Sequence, residues 1–192
     1  MQSTQQQEAI EEFWQHTSHC DHVVQMYENE DVFLDMLEVF VAEGFRKNDA
    51  VVIIATPEHR AALAERLERS GINVAAAASS GQFIVRDARD CLARFMFDGW
   101  PAESRFNEMI EELLDKAREK HPTVRAFGEM VALLWEEKLY RATMRLEHMW
   151  TQLCQRESFP LFCAYPKASF DSADPADCRE VHNAHTRACP PL

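Results

Sequence analysis

Two groups of histidine and cysteine stand near the ends of the chain, His16-x-x-His19-Cys20-x-His22 and Cys178-x3-His182-x2-His185-x3-Cys189. Imidazole and thiolate suit borderline metals such as zinc, and the second spacing puts its four groups roughly on one face of a helix. Neither group has the C-x-x-C knuckle of structural zinc sites. The expectation is therefore of solvated or packed termini, with no metal and no cofactor. A second set falls at the carboxyl ends of candidate strands, where open α/β sheets bind ligands. The stretches Tyr27 to Asp31, Thr56 to His59, Asp87, Gly128 to Met130 and Tyr165-Pro166 gather carboxylates, a hydroxyl, an imidazole and two phenols around one rim, with Tyr27, Thr56, Glu58, Glu129 and Tyr165 as the expected ligand contacts. Glu129 reads as a ligand acceptor or switch, or else as a cap for the helix starting at Met130 or a partner of Arg125 or another base. Thr56-Pro57-Glu58-His59 reads as a helix start whose N–H groups suit an anion, although Glu58 brings its own negative charge. His22 opens a strand at the end opposite Tyr27, as a further ligand contact or as a strand-start hydrogen bond.

Nucleophilic chemistry finds no support. There is no G-x-S-x-G elbow and no Cys–His–Asp order, and Cys163 lies in an apolar run, where a thiol is inert unless its pKa is lowered. No catalytic residue is assigned and no enzyme is expected.

The elements that must position these residues alternate between strand and helix. Strands are expected at 22–27, 50–55, 82–86, 123–127 and 159–165. Val51-Val52-Ile53-Ile54 is apolar on both faces, as a central parallel strand covered by helices would be. The expected architecture is a three-layer α/β fold, a parallel sheet with helices on both faces and right-handed crossovers. Phe33, Met36, Leu37, Phe40, Val41 and Phe45 repeat at helical spacing behind an Asn29 or Asp31 cap. Thr56, Pro57 and Gly71 bracket the next helix, 88–97 reads as a short helix, and Asp98-Gly99-Trp100-Pro101 reads as a turn. The helix after it runs to about Lys120, and 130–156 is helical in two segments. Trp135, Met144, Met149 and Trp150 read as packing, with a partner-facing surface as the alternative. The termini, 1–20 (with a loose helix from Ala9 to Gln15) and 173–192, read as peripheral and mobile.

Between the first strand and its helix, a nucleotide-binding α/β protein places a glycine-rich phosphate loop. Here stands Glu28-Asn29-Glu30-Asp31, with three carboxylates and neither glycine nor lysine. Such a turn cannot wrap backbone N–H groups around a polyphosphate. The formal charge of −12, from 32 acidic and 20 basic residues, likewise disfavours nucleic acid and anionic lipid as direct partners. With no membrane span, no signal peptide and scattered cysteines, a cytosolic protein is expected.

Five blocks together resemble the MEDS domain family, the sensory domain of DcmR-type regulators. They are His22-x-x-Gln25-x-Tyr27, Val52 to His59, Phe95 to Gly99, Arg125-Ala126-Phe127-Gly128-Glu129-Met130-Val131-Ala132-Leu133-Leu134-Trp135, and Leu161 to Pro166. The resemblance spans about residues 20–189, which sets a domain at 21–189 after an N-terminal extension at 1–20. It implies a KaiC- or RecA-like frame that has lost its phosphate loop. It further implies a non-enzymatic sensor of small, hydrocarbon-like ligands that relays to a histidine kinase or transcription regulator. Homo-oligomerisation is a further option. One departure is Lys138-Leu139, where relatives often carry a glycine. Two alternatives stand beside this reading: a nucleotide-binding relative with a non-standard phosphate grip, and a pure interaction protein acting as an acidic anti-regulator.

Overall fold

Hydrophobic pattern and turn chemistry set the order of elements. The computed structural model describes residues 4–171 and 173–190. Helix α1 (Thr4–Gln15) leads to β1 (His22–Tyr27), α2 (Glu30–Arg46), β2 (Ala50–Ala55), α3 (Pro57–Arg69), α4 (Val74–Ser80) and β3 (Phe83–Asp87). Then come α5 (Ala88–Phe95), a two-strand hairpin of β4 (Met96–Phe97) and β5 (Trp100–Pro101), α6 (Glu103–Arg118) and β6 (Val124–Gly128). The chain continues through α7 (Met130–Glu136), α8 (Tyr140–Glu157), β7 (Leu161–Pro166), a 3-10 turn (Lys167–Phe170), α9 (Pro175–Asn183) and β8 (Arg187–Ala188). The main sheet has the order β3-β2-β6-β7-β1-β8, and every pairing in it is parallel. The three-layer parallel α/β architecture expected from the strand spacing is the one observed.

The two faces of the sheet carry separate cores. One gathers Val23, Val51, Ile53, Phe127 and Phe162 under α1 to α4; the other gathers Val24, Val52, Ile54, Cys163 and Tyr165 under α5 to α9. Alternation along β1, β2 and β7 sends successive side chains to opposite faces. At the amino-terminal end of the sheet, buried Arg125 donates to Asp49 Oδ2 through Nε at 3.0 Å and Nη2 at 2.7 Å, and to the Phe40 carbonyl at 3.0 Å. Gly44 on α2 makes room for it, since a Cβ there would stand 2.7 Å from Arg125 Cδ and from Val51 Cγ2.

Several expectations shift. Strands β3, β6 and β7 each begin and end one or two residues later than the patterns suggest. The 98–101 turn is the tip and second strand of a hairpin, with Asp98 and Gly99 both at positive φ. The two helices after Glu129 part at Lys138, which takes φ 61° where a glycine would sit without a Cβ penalty. The termini do not stand apart from the body. Ile10 and Trp14 are fully buried, Trp14 against Phe40 and Phe162, and β8 pairs with β1. Residues 1–3 and 191–192 of these segments lie outside the described residues. Trp135, Met149 and Trp150 are buried, which leaves only part-buried Met144 of that group for any surface role.

Candidate functional site

In a parallel sheet, a crevice opens where neighbouring strands send their following helices to opposite faces. Here α2 and α3 follow β1 and β2 on one face, while α7 and the 3-10 turn follow β6 and β7 towards the other. The carboxyl ends therefore diverge three times, between β3 (followed by α5) and β2, between β2 and β6, and between β1 and β7.

The β2/β6 crevice is filled by its own side chains. Thr56 caps α3, as the sequence indicates, by accepting the His59 N–H at 3.4 Å. Glu129 stands at the N-cap position of α7 without a side-chain capping bond, and it pairs not with Arg125 but with another base, His59, beyond the neighbouring strand. Its carboxylate accepts the Thr56 N–H at 2.7 Å, the Thr56 hydroxyl at 3.3 Å and His59 Nδ1 at 2.8 Å. His59 Nε2 reaches Glu30 at 2.8 Å, so one imidazole bridges two carboxylates. Burial pulls the His59 pKa down, but the hydrogen bonds and charges of Glu129 and Glu30 raise it from 6.5 to about 9. The bridge is an imidazolium at neutral pH. Burial, then the charge of Glu129, holds the neighbouring Glu136 above the usual carboxylate range. Glu58 is exposed and outside this network. His59 and Glu30, which the sequence reading placed on the rim without assigning either a ligand role, complete it.

Tyr27 stacks on Phe33 at 4.9 Å, with the Glu30 carboxylate beside its hydroxyl. Burial, then Glu30 and Glu129, pushes its pKa up, so the phenol stays neutral. Two clefts flank it. One, of about 350 Å³, lies between Tyr27 and Lys167, whose ammonium pairs with Glu28. The other, of about 430 Å³, runs along the β1 edge between Val24, Gln25, Met26, Val32 and Cys189. It exists because β8 pairs with only Val23 and Val24, leaving the carboxyl-terminal half of β1 uncovered on that side. Buried Gln25 Oε1 has no hydrogen-bond partner there among the described residues.

Tyr165 and His22 leave the rim. Tyr165 is fully buried and donates its hydroxyl to Glu147 on α8. His22 meets the same carboxylate from the amino-terminal end of β1, with Nε2 3.3 Å from Glu147 Oε2. The six residues assigned from sequence thus divide. Thr56 and Glu129 share one network, Tyr27 lies beside it and lines the clefts, Glu58 stands outside, and His22 and Tyr165 converge on Glu147 in the core.

Among known proteins, the family model described as "MEDS: MEthanogen/methylotroph, DcmR Sensory domain" matches residues 21–183. No curated protein matches the chain significantly.

Proposed function

The chain belongs to the MEDS family of sensory domains, and from that premise we propose that it senses a small, largely apolar molecule in the cleft beside the carboxyl half of β1. The single observation that carries this reading is buried Gln25, which lines a largely apolar cleft of about 430 Å³ and whose Oε1 has no hydrogen-bond partner among the described residues. Sites for small ligands combine apolar walls with a few polar groups that fix orientation, and an unmade buried hydrogen bond is one that a ligand can complete. A hydrocarbon-like molecule with a hydroxyl or a polarised C–H would fit that demand. Cys189 and β8 form one wall and α2 contributes Val32, so occupancy biases the position of those segments. That displacement would be relayed to a separate kinase or transcription regulator, in a cytosolic setting.

Catalysis has no place in this reading. A frame related to KaiC and RecA is part of it, but the position of the phosphate loop is taken by Glu28-Asn29 and the acidic start of α2. The Glu28 and Glu30 carboxylates beside the Tyr27 cleft would repel a polyphosphate. Exposed Phe97 and Trp100 on the β4–β5 hairpin supply an apolar face for the signalling partner.

Calorimetric titration with short alkanols and haloalkanes tests the cleft. Binding is expected for the wild type and should weaken about fivefold or more in Gln25→Leu, the worth of one hydrogen bond. Equal affinity in the variant would remove Gln25 from the site.

A further inference from the structure

One residue from each terminal His/Cys group, His22 and His185, meets a carboxylate and a thiol in the core. We propose that His22, His185, Glu147 and Cys163 form a closed binding site for one borderline divalent metal ion of the zinc type. The site lies beneath α8 and α9 on the sheet face away from α2 and is independent of the ligand cleft proposed above.

The distances suit such an ion. One ligand atom from each of the four residues lies within 4.8 Å of the others. His22 Nε2 stands 3.4 Å from Cys163 Sγ and 3.3 Å from Glu147 Oε2, and His185 Nε2 stands 3.4 Å from Glu147 Oε1. Metal–ligand bonds of about 2.0–2.3 Å in a tetrahedron imply ligand separations of about 3.3–3.8 Å. All four side chains are buried, with His22 and His185 each 1% exposed.

The hydrogen bonds around the cluster decide where its protons sit. Thr151 Oγ1 lies 2.9 and 3.2 Å from the Glu147 and Ala184 carbonyls and 3.0 Å from His22 Nδ1; with its proton on either carbonyl it accepts from His22 Nδ1. The Val181 carbonyl can only accept, so His185 Nδ1 carries the proton donated to it at 2.7 Å. Each ring, with one proton used outward, turns an Nε2 lone pair inward, the orientation that outer partners impose on metal-bound histidines. Those lone pairs face a carboxylate, which is also an acceptor. Cys163 has one S–H and Tyr165 gives its hydroxyl to Glu147, yet Glu147 Oε2 and His185 Nε2 remain without hydrogen-bond partners. No Lys or Arg pairs with Glu147 among the described residues; its ion-pair partners are the two histidines. A cation at the centre of the four atoms resolves this convergence of acceptors. Two imidazoles, a thiolate and a carboxylate are a nitrogen–sulfur–oxygen set suited to zinc or cobalt, and four protein ligands leave no open position.

Binding would release one proton, from the Cys163 thiol, as the metal–sulfur bond forms. It would also join β1, α8, β7 and the link after α9, clamping the carboxyl-terminal segment onto the body.

Cobalt(II) added to chelator-treated full-length protein is the probe. We expect one equivalent to bind, with the intense visible bands of tetrahedral cobalt and a near-ultraviolet thiolate charge-transfer band. Cys163→Ser should lose the charge-transfer band while keeping its far-ultraviolet dichroism. Glu147→Gln should weaken binding about tenfold or more and serves if the serine variant fails to fold. A doubly substituted His19→Ala/Cys20→Ser protein should bind as the wild type does. Absence of the bands, bands unchanged in both core variants, or their loss in the His19/Cys20 variant would each overturn the proposal.

Discussion

Glu129 illustrates how far a residue's type can be read without its neighbours. Its place just past a strand was legible, and so was the capping role of Thr56, because both follow from local sequence. Its engagement of His59 was not, since that contact joins positions 70 residues apart. The bridge has a measurable consequence. A histidine whose pKa is higher in the folded than in the unfolded state adds stability that is fully present below the unfolded value and lost as pH rises through the folded one. For His59 the loss should fall between about pH 6.5 and 9 and amount to at most about 3 kcal/mol, reduced by solvent screening of this half-buried ring. Urea unfolding across that range, compared with His59→Ala, would measure it; parallel curves would contradict the bridge. Glu129→Gln should leave the protein folded and move the His59 titration, followed by proton NMR, down from about 9 towards 6.5. A single histidine at a strand start likewise gave no hint of its carboxylate, because Glu147 and Cys163 come from α8 and β7 and only the sheet's register brings them together.

At the scale of elements, the pattern carried nearly everything that hydrophobic period and turn residues control. The fully apolar β2, the capped α3 and the split between α7 and α8 follow from rules that act within a few residues. Two positions test how tightly those elements are set. Lys138 holds φ 61°, so Lys138→Gly should stabilise the protein by about 1 kcal/mol, seen as a higher denaturation midpoint. Gly44→Ala should do the reverse. Its methyl would press on Arg125 and Val51 where α2 crosses the sheet, which predicts a loss of about 1–3 kcal/mol in the same measurement. What the pattern missed was the standing of the terminal segments. A short helix with two large apolar residues, Ile10 and Trp14, looks peripheral until the groove formed by Phe40 and Phe162 is known.

Across the whole molecule, the parallel sheet divides the protein into two cores with different polar content. The face under α2 to α4 ends at the Thr56–Glu129–His59–Glu30 network beside the Tyr27 clefts, while the opposite face encloses the His22–Glu147–Cys163–His185 cluster. Helix α1 belongs to the first core. Trp14→Ala should therefore cost about 3–5 kcal/mol and not behave as a change in a loose tail, as thermal unfolding would show. The sensory reading concentrates on the stretch of β1 edge that β8 leaves uncovered, where α2 begins. Amide chemical-shift mapping of the labelled chain during titration with a short haloalkane, followed by ATP with magnesium, tests it most directly. The account predicts saturable shifts centred on Gln25, Met26, Val32 and Cys189 with the haloalkane and none with the nucleotide. Saturable shifts at residues 27–31 with the nucleotide, together with none along the β1 edge with the haloalkane, would contradict it.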